Sequence, residues 1–457
     1  MKKKNVYILS EYFKREFSSN ILVSIIASSK NYNVYIGTDK TYKYLLNKNL
    51  LEPGIFHTKS VSHGKEKSNF HKNLYKKNFI LTCMDEEHGV INEGNYDDLF
   101  IKPRMDHKDL KFFKAFFCWG KYDYKKLTKF FHKKKNFFHI TGSPRVDLWK
   151  KNFHEIWKNE KLKKKNYTLI VSNFNFVNNH FSLKKIINKI KKEGYYNRSP
   201  KIEEIQKEYF RYQKKNIKYF LNMIKNLSKK LPNEKIIFRP HPTEKVEYWK
   251  KNLGKMTNVE IYDEGSISEL INNANCVIQS GCTSAIEAFI SNVPVVNYLP
   301  VKKKNQIIGK FISKFSVNIF SEKKLINIIK NKDFKLIKNK KKIVNQRMLF
   351  LDDKLSASKI THIWKKLFNK QSKFSSNNHF KIRLYLFFFD LITTSIRNSI
   401  LFIKGKLYLK KKFLHKFPEI NLEETRNKIL KIQKVLNYKN SIKIKKIGKE
   451  LINISQI

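Results

Sequence analysis

The sequence predicts an α/β protein with two doubly wound domains and a basic, helical C-terminal extension. Short apolar runs alternate with helical stretches through both halves of the first 345 residues. The runs are continuous in apolar residues, as expected for strands that are buried on both faces of a parallel sheet. After about residue 345 the pattern becomes helical and very basic. The predicted segments are therefore 1–150, 166–345 and 346–457.

The first domain contains short β-rich runs that are separated by helical sequence. These predicted strands are Val6–Ser10, Asn33–Gly37, Gly54–Thr58, Phe79–Met84, Ala115–Trp119 and Phe137–Thr141. The charged stretch Lys150–Lys165 follows the last of them and is typical of a linker.

The second domain repeats the alternation around one long helical stretch. A strand at Tyr167–Ser172 precedes the helical region Ile202–Lys230. The strands predicted after it are Lys235–Arg239, Val259–Tyr262, Cys276–Gln279 and Pro294–Tyr298. Between two of these, Ser266 and Glu269 form a capping box, which predicts a helix start.

The charge is extreme: 95 Lys and Arg residues against 38 Asp and Glu residues give a formal charge of +57. Ten of the basic residues are arginine, whereas base-reading and phosphate-clamping surfaces favour arginine for its planar fork. Nucleic acid is therefore disfavoured as the main ligand. A solvated lysine surface set by AT-rich codon usage is one interpretation. Attraction to a membrane surface, a polyanionic glycan or a sugar nucleotide is the other.

The sequence predicts neither a signal peptide nor a membrane-spanning helix. The apolar run near the N-terminus, Val6–Leu9, is too short for a signal peptide. The longest apolar stretch, Leu384–Ile396, is interrupted by Asp390 and falls short of the roughly 20 residues that a crossing needs. It is either a core helix or an interfacial amphipathic helix. Four scattered cysteines suggest a reducing compartment, so we expect a cytoplasmic protein, with peripheral attachment to the inner membrane left open.

The first candidate site follows the strand at Lys235–Arg239. Ligands of doubly wound sheets bind beyond the carboxyl ends of the strands, and Arg239 and His241 stand there. Pro240 and Pro242 restrict the backbone around the histidine. Both side chains could donate to a phosphate. The alternative is a rigid turn with a hydrogen-bonded, structural histidine.

The second candidate site follows the strand at Cys276–Gln279. Ser280 and Gly281 form a tight turn, and Thr283 and Ser284 open a helix whose free N–H groups suit an anion. Glu287 lies one turn further along the same face, where it could reach a ribose. The alternative is an ordinary capped helix.

The third candidate site is an acidic stretch that ends the strand at Phe79–Met84. Asp85, Glu86 and Glu87 crowd three carboxylates together, which raises their pKa values and suits a general base. The alternative is a solvated acidic turn. A metal site that includes His88 is disfavoured.

Two further stretches stand at strand ends of the first domain. Arg15 and Glu16 occupy the first strand–helix loop, where they would face a cleft. Arg145 and Asp147 follow the last strand, and either they pair with each other or Arg145 reaches a ligand.

Together these five stretches resemble the bacterial surface carbohydrate biosynthesis family, over roughly residues 5–300. More distantly, the Asp/Glu-Gly and His-Pro motifs are similar to those of bacterial polysialyltransferases and capsule Kdo transferases, which are two-domain enzymes of the GT-B type. The resemblance implies two Rossmann-like domains facing a cleft, with acceptor-side residues in 1–150 and nucleotide-sugar-binding residues in 166–345. It implies a general base in the acidic motif, and donor binding by His241, Ser280, Thr283 and Ser284.

The function implied is a metal-independent glycosyltransferase of cell-surface polysaccharide, such as capsule or lipopolysaccharide. It would transfer an acidic sugar from a CMP-linked donor to a glycan or lipid-linked glycan acceptor, without a cofactor. Glu87 is the first candidate for the base because it lies nearest Gly89, where the family's acid stands; Asp85 is second because His88 shifts the register. A CDP-glycerol-type transferase, a nucleotide-sugar epimerase and a non-catalytic glycan- or membrane-binding scaffold remain alternatives.

Overall fold

The computed structural model describes residues 3–87, 93–158, 167–301, 309–334, 338–368, 378–403 and 417–457. The chain divides into two compact units. The first unit comprises Met1–Glu86, Asp106–Leu148 and Asp352–Ile457, and the second comprises Glu87–Met105 and Trp149–Leu351. The C-terminal segment thus belongs to the same unit as the N-terminal strands, whereas the sequence pattern set it apart.

The first eleven strands follow the predicted apolar runs closely, whereas the strand at Val317–Ile319 and two C-terminal strands were not predicted. The described residues contain fourteen strands. They are β1 (Lys4–Leu9), β2 (Tyr32–Gly37), β3 (Ile55–Thr58), β4 (Ile80–Cys83), β5 (Phe113–Cys118), β6 (Phe138–Ile140), β7 (Tyr167–Val171), β8 (Lys235–Arg239), β9 (Val259–Ile261), β10 (Cys276–Gln279), β11 (Val295–Tyr298), β12 (Val317–Ile319), β13 (Ile442–Gly448) and β14 (Leu451–Gln456).

The α-helices of the described residues separate most of these strands. They are α1 (Ser18–Ser28), α2 (Asp39–Asn47), α3 (Lys65–Lys76), α4 (Lys102–Arg104), α5 (Lys121–Phe130), α6 (Pro144–Asp147), α7 (Leu183–Lys192), α8 (Tyr195–Arg198), α9 (Lys201–Lys230), α10 (Val246–Leu253), α11 (Ile267–Asn273), α12 (Ser284–Ile290), α13 (Gly309–Ser313), α14 (Glu322–Lys330), α15 (Lys341–Arg347), α16 (Ser356–Phe368), α17 (His379–Ile403) and α18 (Leu422–Val435). A π-helical turn, Phe13–Phe17, leads into α1.

The first unit is built on one sheet with the strand order β13-β14-β2-β1-β3-β4-β5-β6. Strands β1 to β6 pair in parallel. Because β2 and β3 lie on opposite sides of β1, the order of the strands reverses between β1 and β3. In open α/β sheets, ligands bind at such a switch point, beyond the carboxyl ends of the strands.

The second unit is built on a parallel sheet with the order β12-β11-β10-β7-β8-β9. Its order reverses between β7 and β10, which gives a second switch point. Helix α9 covers one face, because Phe220 and Leu227 pack with Phe238 and Trp249 in the core. The predicted fold class, α/β with two Rossmann-like sheets, is therefore confirmed.

The C-terminal segment contains the predicted helices and also a hairpin that the sequence analysis does not predict. Strand β14 pairs antiparallel with β2, placing Ile454 opposite Val34, and β13 pairs with β14 at the sheet edge. Lys443, Lys445 and Lys446 fall within β13, and lysines are typical of edge strands. Their charge hides the strand pattern among the other basic runs.

Helices α16 and α17 attach the C-terminal segment to the N-terminal part of the first unit. The indole N–H of Trp364 in α16 donates to the Thr82 hydroxyl on β4 (3.2 Å). The Phe389 ring of α17 stacks on Tyr44 of α2, and α17 also packs on β13 of its own segment. The apolar stretch Leu384–Ile396 lies within α17. None of the helices in the described part of the chain combines the length and apolar character needed to cross a bilayer.

The hairpin predicts a measurable contribution to stability. Ile454 is completely buried on β14, whereas Ile457, three residues later, is 80% exposed. We expect Ile454→Ala to cost about 2–5 kcal/mol through lost packing and cavity formation, and Ile457→Ala to have little effect. Thermal unfolding followed by circular dichroism compares the two variants. Equal melting temperatures would show that the hairpin is not part of the cooperative fold.

Candidate functional site

A small pocket of about 10 Å³, which has room for about one water molecule, lies at the switch point of the first unit's sheet. It is formed by the ends of β1, β3 and β4 and by the beginning of α1. The residues that line it are Leu9, Glu16, Asn20, His57, Thr58, Lys59, Met84 and Glu86. The pocket therefore contains one carboxylate from the first strand–helix loop and one from the acidic stretch.

Glu16 is fixed by its own loop. Its Oε2 accepts hydrogen bonds from the backbone N–H groups of Glu11 (2.8 Å) and Tyr12 (3.3 Å), and its Oε1 accepts from the Arg15 guanidinium (2.6 Å). The residue is 2% exposed. Arg15 lies over the Tyr12 ring at 4.6 Å. Arg15 and Glu16, two of the predicted site residues, are thus hydrogen-bonded to each other at the pocket.

Glu86 approaches the same pocket from the end of β4. Arg145, in α6, donates to the Glu86 backbone carbonyl (3.0 Å) and lies 3.5 Å from its Oε2. Burial raises the pKa of Glu86; Arg145 counteracts this rise, and the nearby charge of Glu16 adds to it. A carboxyl with a raised pKa that lines a pocket has the properties of a general base.

The other two acids of the stretch do not line the pocket. Asp85 is completely buried, and its backbone carbonyl accepts a hydrogen bond from the indole of Trp119 (2.9 Å). Glu87 belongs to the second unit, where it forms an ion pair with Arg104 (3.0 Å). His88 and Gly89 lie outside the described residues.

Lys59 is a pocket residue that the sequence analysis did not single out. Its Nζ lies 2.5 Å from Glu11 and 3.7 Å from Glu16. Lys59 directly follows the end of β3, just as the predicted site residues follow the ends of other strands. A rule that selects the polar residue after every parallel strand would have found it.

In the second unit, the two residues after β7 connect the loops of both neighbouring strands. The Ser172 hydroxyl accepts from the His241 backbone N–H (3.0 Å) and donates to Glu244 (2.8 Å). The Asn173 amide donates to the Gly281 carbonyl (3.2 Å). Since β7 lies between β8 and β10, the two predicted donor-binding motifs flank one switch point.

His241 and Glu244 occupy the loop after β8. The Nδ1 of His241 is 2.9 Å from the Thr243 hydroxyl, which orients the partly exposed ring. Glu244 is 1% exposed and accepts from the Phe174 backbone (2.6 Å) and the Trp249 indole (2.7 Å). Burial raises the pKa of Glu244 to about 7, although these hydrogen bonds favour the charged form.

The loop after β10 is held by side chains of α9 and by its own backbone. The Ser280 hydroxyl is 3.0 Å from the Tyr212 hydroxyl and 2.9 Å from the Asn216 amide nitrogen. Gly281 has φ of +75°, a conformation that favours glycine. The side chain of Gln279 accepts from the Cys282 backbone N–H (2.8 Å). The loop is therefore rigid before α12 begins.

The remaining predicted donor-binding residues have contacts within the protein. The guanidinium of Arg239 donates to the carbonyls of Tyr262 (3.0 Å), Glu264 and Gly265 (3.0 Å). The Glu287 carboxylate accepts from the Ser268 hydroxyl on α11.

At the beginning of α12, Thr283 is exposed and Ser284 is buried. The Thr283 side chain makes no capping hydrogen bond. Within the described ranges, no group of His, Cys, Asp and Glu side chains is arranged to hold a metal ion.

Comparison with known proteins gives matches among solved structures. No family model matches the chain, and no curated protein matches it. A UDP-GlcNAc 2-epimerase from Methanocaldococcus jannaschii is 15% identical; the match covers 79% of this chain and 99% of that chain, with a TM-score of 0.45.

Two further structures match over similar lengths. A UDP-GlcNAc 2-epimerase from Neisseria meningitidis is 9% identical, with 80% and 100% covered and a TM-score of 0.46. The wall teichoic acid polymerase TagF is 12% identical, with 80% and 89% covered and a TM-score of 0.47. At these identities and TM-scores, the similarity carries no conclusion about activity.

The buried carboxyl of Glu244 predicts a pH dependence of stability. Its ordinary pKa of 4.5 applies to the unfolded chain, whereas the folded value is about 7. Between these values the folded protein binds more protons, so stability falls as pH rises, by on the order of 3 kcal/mol for the full shift.

Glu244→Gln removes this proton and with it this part of the pH dependence. From pH 5 to pH 8 the wild type should therefore lose stability relative to Glu244→Gln, as measured by denaturant unfolding. Glu247→Gln, on the exposed face of α10, is the matched control and should keep the wild-type slope. Parallel curves for the wild type and Glu244→Gln would contradict the assignment.

Proposed function

We propose that this chain is a glycosyltransferase of cell-surface polysaccharide biosynthesis. It transfers an acidic sugar from a nucleotide-activated donor, with CMP as the nucleotide, to a hydroxyl group of a glycan acceptor. The observation that carries the proposal is the pocket at the first unit's switch point, where Glu86 has a raised pKa beside Glu16.

In this mechanism Glu86 is the general base. It accepts the proton of the acceptor hydroxyl as the oxygen attacks the anomeric carbon of the donor. A base works best when its pKa lies near the working pH, and burial moves Glu86 in that direction. Glu86 replaces Glu87 as the first candidate, because Glu87 is paired with Arg104 and belongs to the other unit. Asp85 is less suitable because it is completely buried.

The donor phosphate is assigned to the second unit's switch point. The C–O bond to the sugar breaks, and the nucleotide phosphate leaves with a negative charge that needs hydrogen-bond donors. The His241 ring, oriented by Thr243, and the loop Ser280–Thr283 supply polar groups there. Arg239 is a weaker candidate than the sequence suggested, because three of its N–H···O contacts go to backbone carbonyls.

The alternatives differ from this proposal in what happens to the donor. A nucleotide-sugar epimerase would convert a UDP-sugar without an acceptor, and a glycerophosphate transferase would consume CDP-glycerol. A scaffold would bind no nucleotide. A thermal-shift screen against CMP, CDP, UDP and GDP separates a cytidine nucleotide donor from a UDP-sugar and from a scaffold that binds no nucleotide. A donor hydrolysis assay then separates a CMP-linked sugar from CDP-glycerol. The acceptor is proposed to be a glycan or lipid-linked glycan at the inner face of a membrane.

The assignment of the base predicts unequal effects within the acidic stretch. Glu86→Gln should lower the rate of transfer about 10²–10⁴-fold, because the variant cannot accept the hydroxyl proton. Nucleotide binding should remain, since the donor motifs lie elsewhere. Glu87→Gln is the matched control, one residue away, and should retain most activity. Transfer to an acceptor glycan and nucleotide affinity are measured for both variants.

Two results would contradict this assignment. Full transfer by Glu86→Gln would remove Glu86 as the base. A larger loss in Glu87→Gln than in Glu86→Gln would return the role to the residue that the sequence favoured.

The donor site predicts a loss of nucleotide affinity in His241→Ala. A lost charge-assisted hydrogen bond of about 1.5–3 kcal/mol corresponds to a roughly 10- to 150-fold weaker Kd for CMP. His362→Ala, exposed on α16 of the first unit, serves as the control and should bind CMP normally. Isothermal titration calorimetry measures both variants. An unchanged CMP affinity in His241→Ala would exclude this histidine from the donor site.

A further inference from the structure

Helix α17 carries an apolar stripe on its outer face. The stripe residues are spaced by one, three or four positions, so they follow one side of the helix for three turns. Each of them is between 47% and 61% exposed. The stripe consists of Leu384, Phe387, Phe388, Leu391, Ile392 and Ile396. Contiguous exposed apolar area of this kind marks an interaction surface.

The opposite face of α17 is fixed to the first unit. Leu386 is buried, and the Arg383 guanidinium donates to the Lys446 carbonyl of β13 (2.7 Å). The Phe389 ring stacks on Tyr44 of α2 at a centroid distance of 4.0 Å. These contacts set the rotation of the helix about its axis, so the stripe stays on the outside of the unit.

Charge decides between the two occupants that an exposed apolar stripe could have. A second copy of this chain would also carry +57, so two copies repel each other. An anionic membrane leaflet attracts the same charge, by about 1 kcal/mol for each Lys or Arg near the surface. Lys381 and Arg383 on α17 are exposed and lie three residues and one residue before Leu384, the first residue of the stripe.

The distribution of polar and apolar residues on α17 indicates how deeply the helix would insert into a membrane. The helix is about 37 Å long at 1.5 Å per residue, but it does not have the apolar character of a spanning helix. Asp390 lies on the side that faces the protein, where burial raises its pKa and the Lys449 backbone donates to it. A helix with one apolar side and cationic flanks is suited to lie in the plane of the interface.

We propose that α17 binds the surface of a membrane that contains anionic phospholipid, with the stripe inserted among the headgroups and upper acyl chains. The partner is identified by two properties, an apolar layer and negative charge. The inference goes beyond the proposed transferase activity and does not depend on it.

Vesicle binding of the full chain tests the proposal. The protein is mixed with vesicles of phosphatidylcholine alone, or with 30% phosphatidylglycerol, and separated by flotation. We expect strong recovery with the anionic vesicles and little with the neutral ones. The variant Phe387→Ser/Phe388→Ser/Leu391→Ser should reduce the partition coefficient by more than tenfold, because three inserted apolar side chains are lost.

The control variant is Phe181→Ser/Phe320→Ser, which removes exposed aromatic side chains of the second unit, 58% and 68% exposed. It should bind anionic vesicles like the wild type. Melting temperatures, together with the CMP thermal shift where the wild type shows one, verify that each variant is folded.

Three outcomes would overturn the proposal. Vesicle binding by the triple variant at the wild-type level would exclude the stripe. Equal binding of the wild type to neutral and anionic vesicles would exclude the anionic lipid. Failure of the wild type to bind any vesicle, with a dimer that the triple variant loses in light scattering, would make α17 an interface between copies of this chain.

Discussion

A buried carboxylate fixes a loop at the carboxyl edge of each sheet. In the first unit this is Glu16, which accepts two backbone N–H groups and the Arg15 guanidinium. In the second unit it is Glu244, which accepts from Ser172, Phe174 and Trp249. Burying the carboxyl group of an acid, charged or protonated, is costly unless its oxygens are hydrogen-bonded. Each loop therefore keeps the conformation that provides these donors, and the polar groups of both switch points depend on it.

The two switch points differ in which polar groups remain available to a ligand once the loops are fixed. In the first unit, Glu16 is occupied by its own loop, so Glu86 is the acid that lines the pocket with a raised pKa. In the second unit, Ser172 and Asn173 use their polar groups to hold the loops on either side. The first site thus offers a titratable group, whereas the second offers a rigid polar frame. These properties match the different requirements of the proposed base and of the proposed phosphate-binding site.

The sequence was sufficient for β1 to β11 because these strands are short apolar runs, most of them with buried positions on both faces. It did not predict β12, a three-residue edge strand in which Val317 and Asn318 are only partly buried. It missed the hairpin, since Lys443 and Lys445 alternate with isoleucines within a chain that is rich in lysine throughout. It placed the candidate site residues at the carboxyl ends of the strands, where the structure also has them, because these polar residues directly follow the apolar runs. It could not separate Glu86 from Glu87, as adjacent residues differ only in their partners. Arg145 and Arg104, which make that difference, lie 59 residues after Glu86 and 17 residues after Glu87, so the sequence pattern around the acids does not reveal them.

The net charge of +57 supports the proposal for α17 but contributes little to the proposal for the first unit's pocket. Around the first unit's pocket, the cations Arg15, Lys59 and Arg145 contact the acids Glu11, Glu16 and Glu86, so the site has no excess of positive charge. The lysine excess therefore says little about the proposed chemistry. On α17 the cations accompany an exposed apolar stripe that is fixed in orientation. Positive charge becomes informative there because a second physical property, apolar area, selects the same partner.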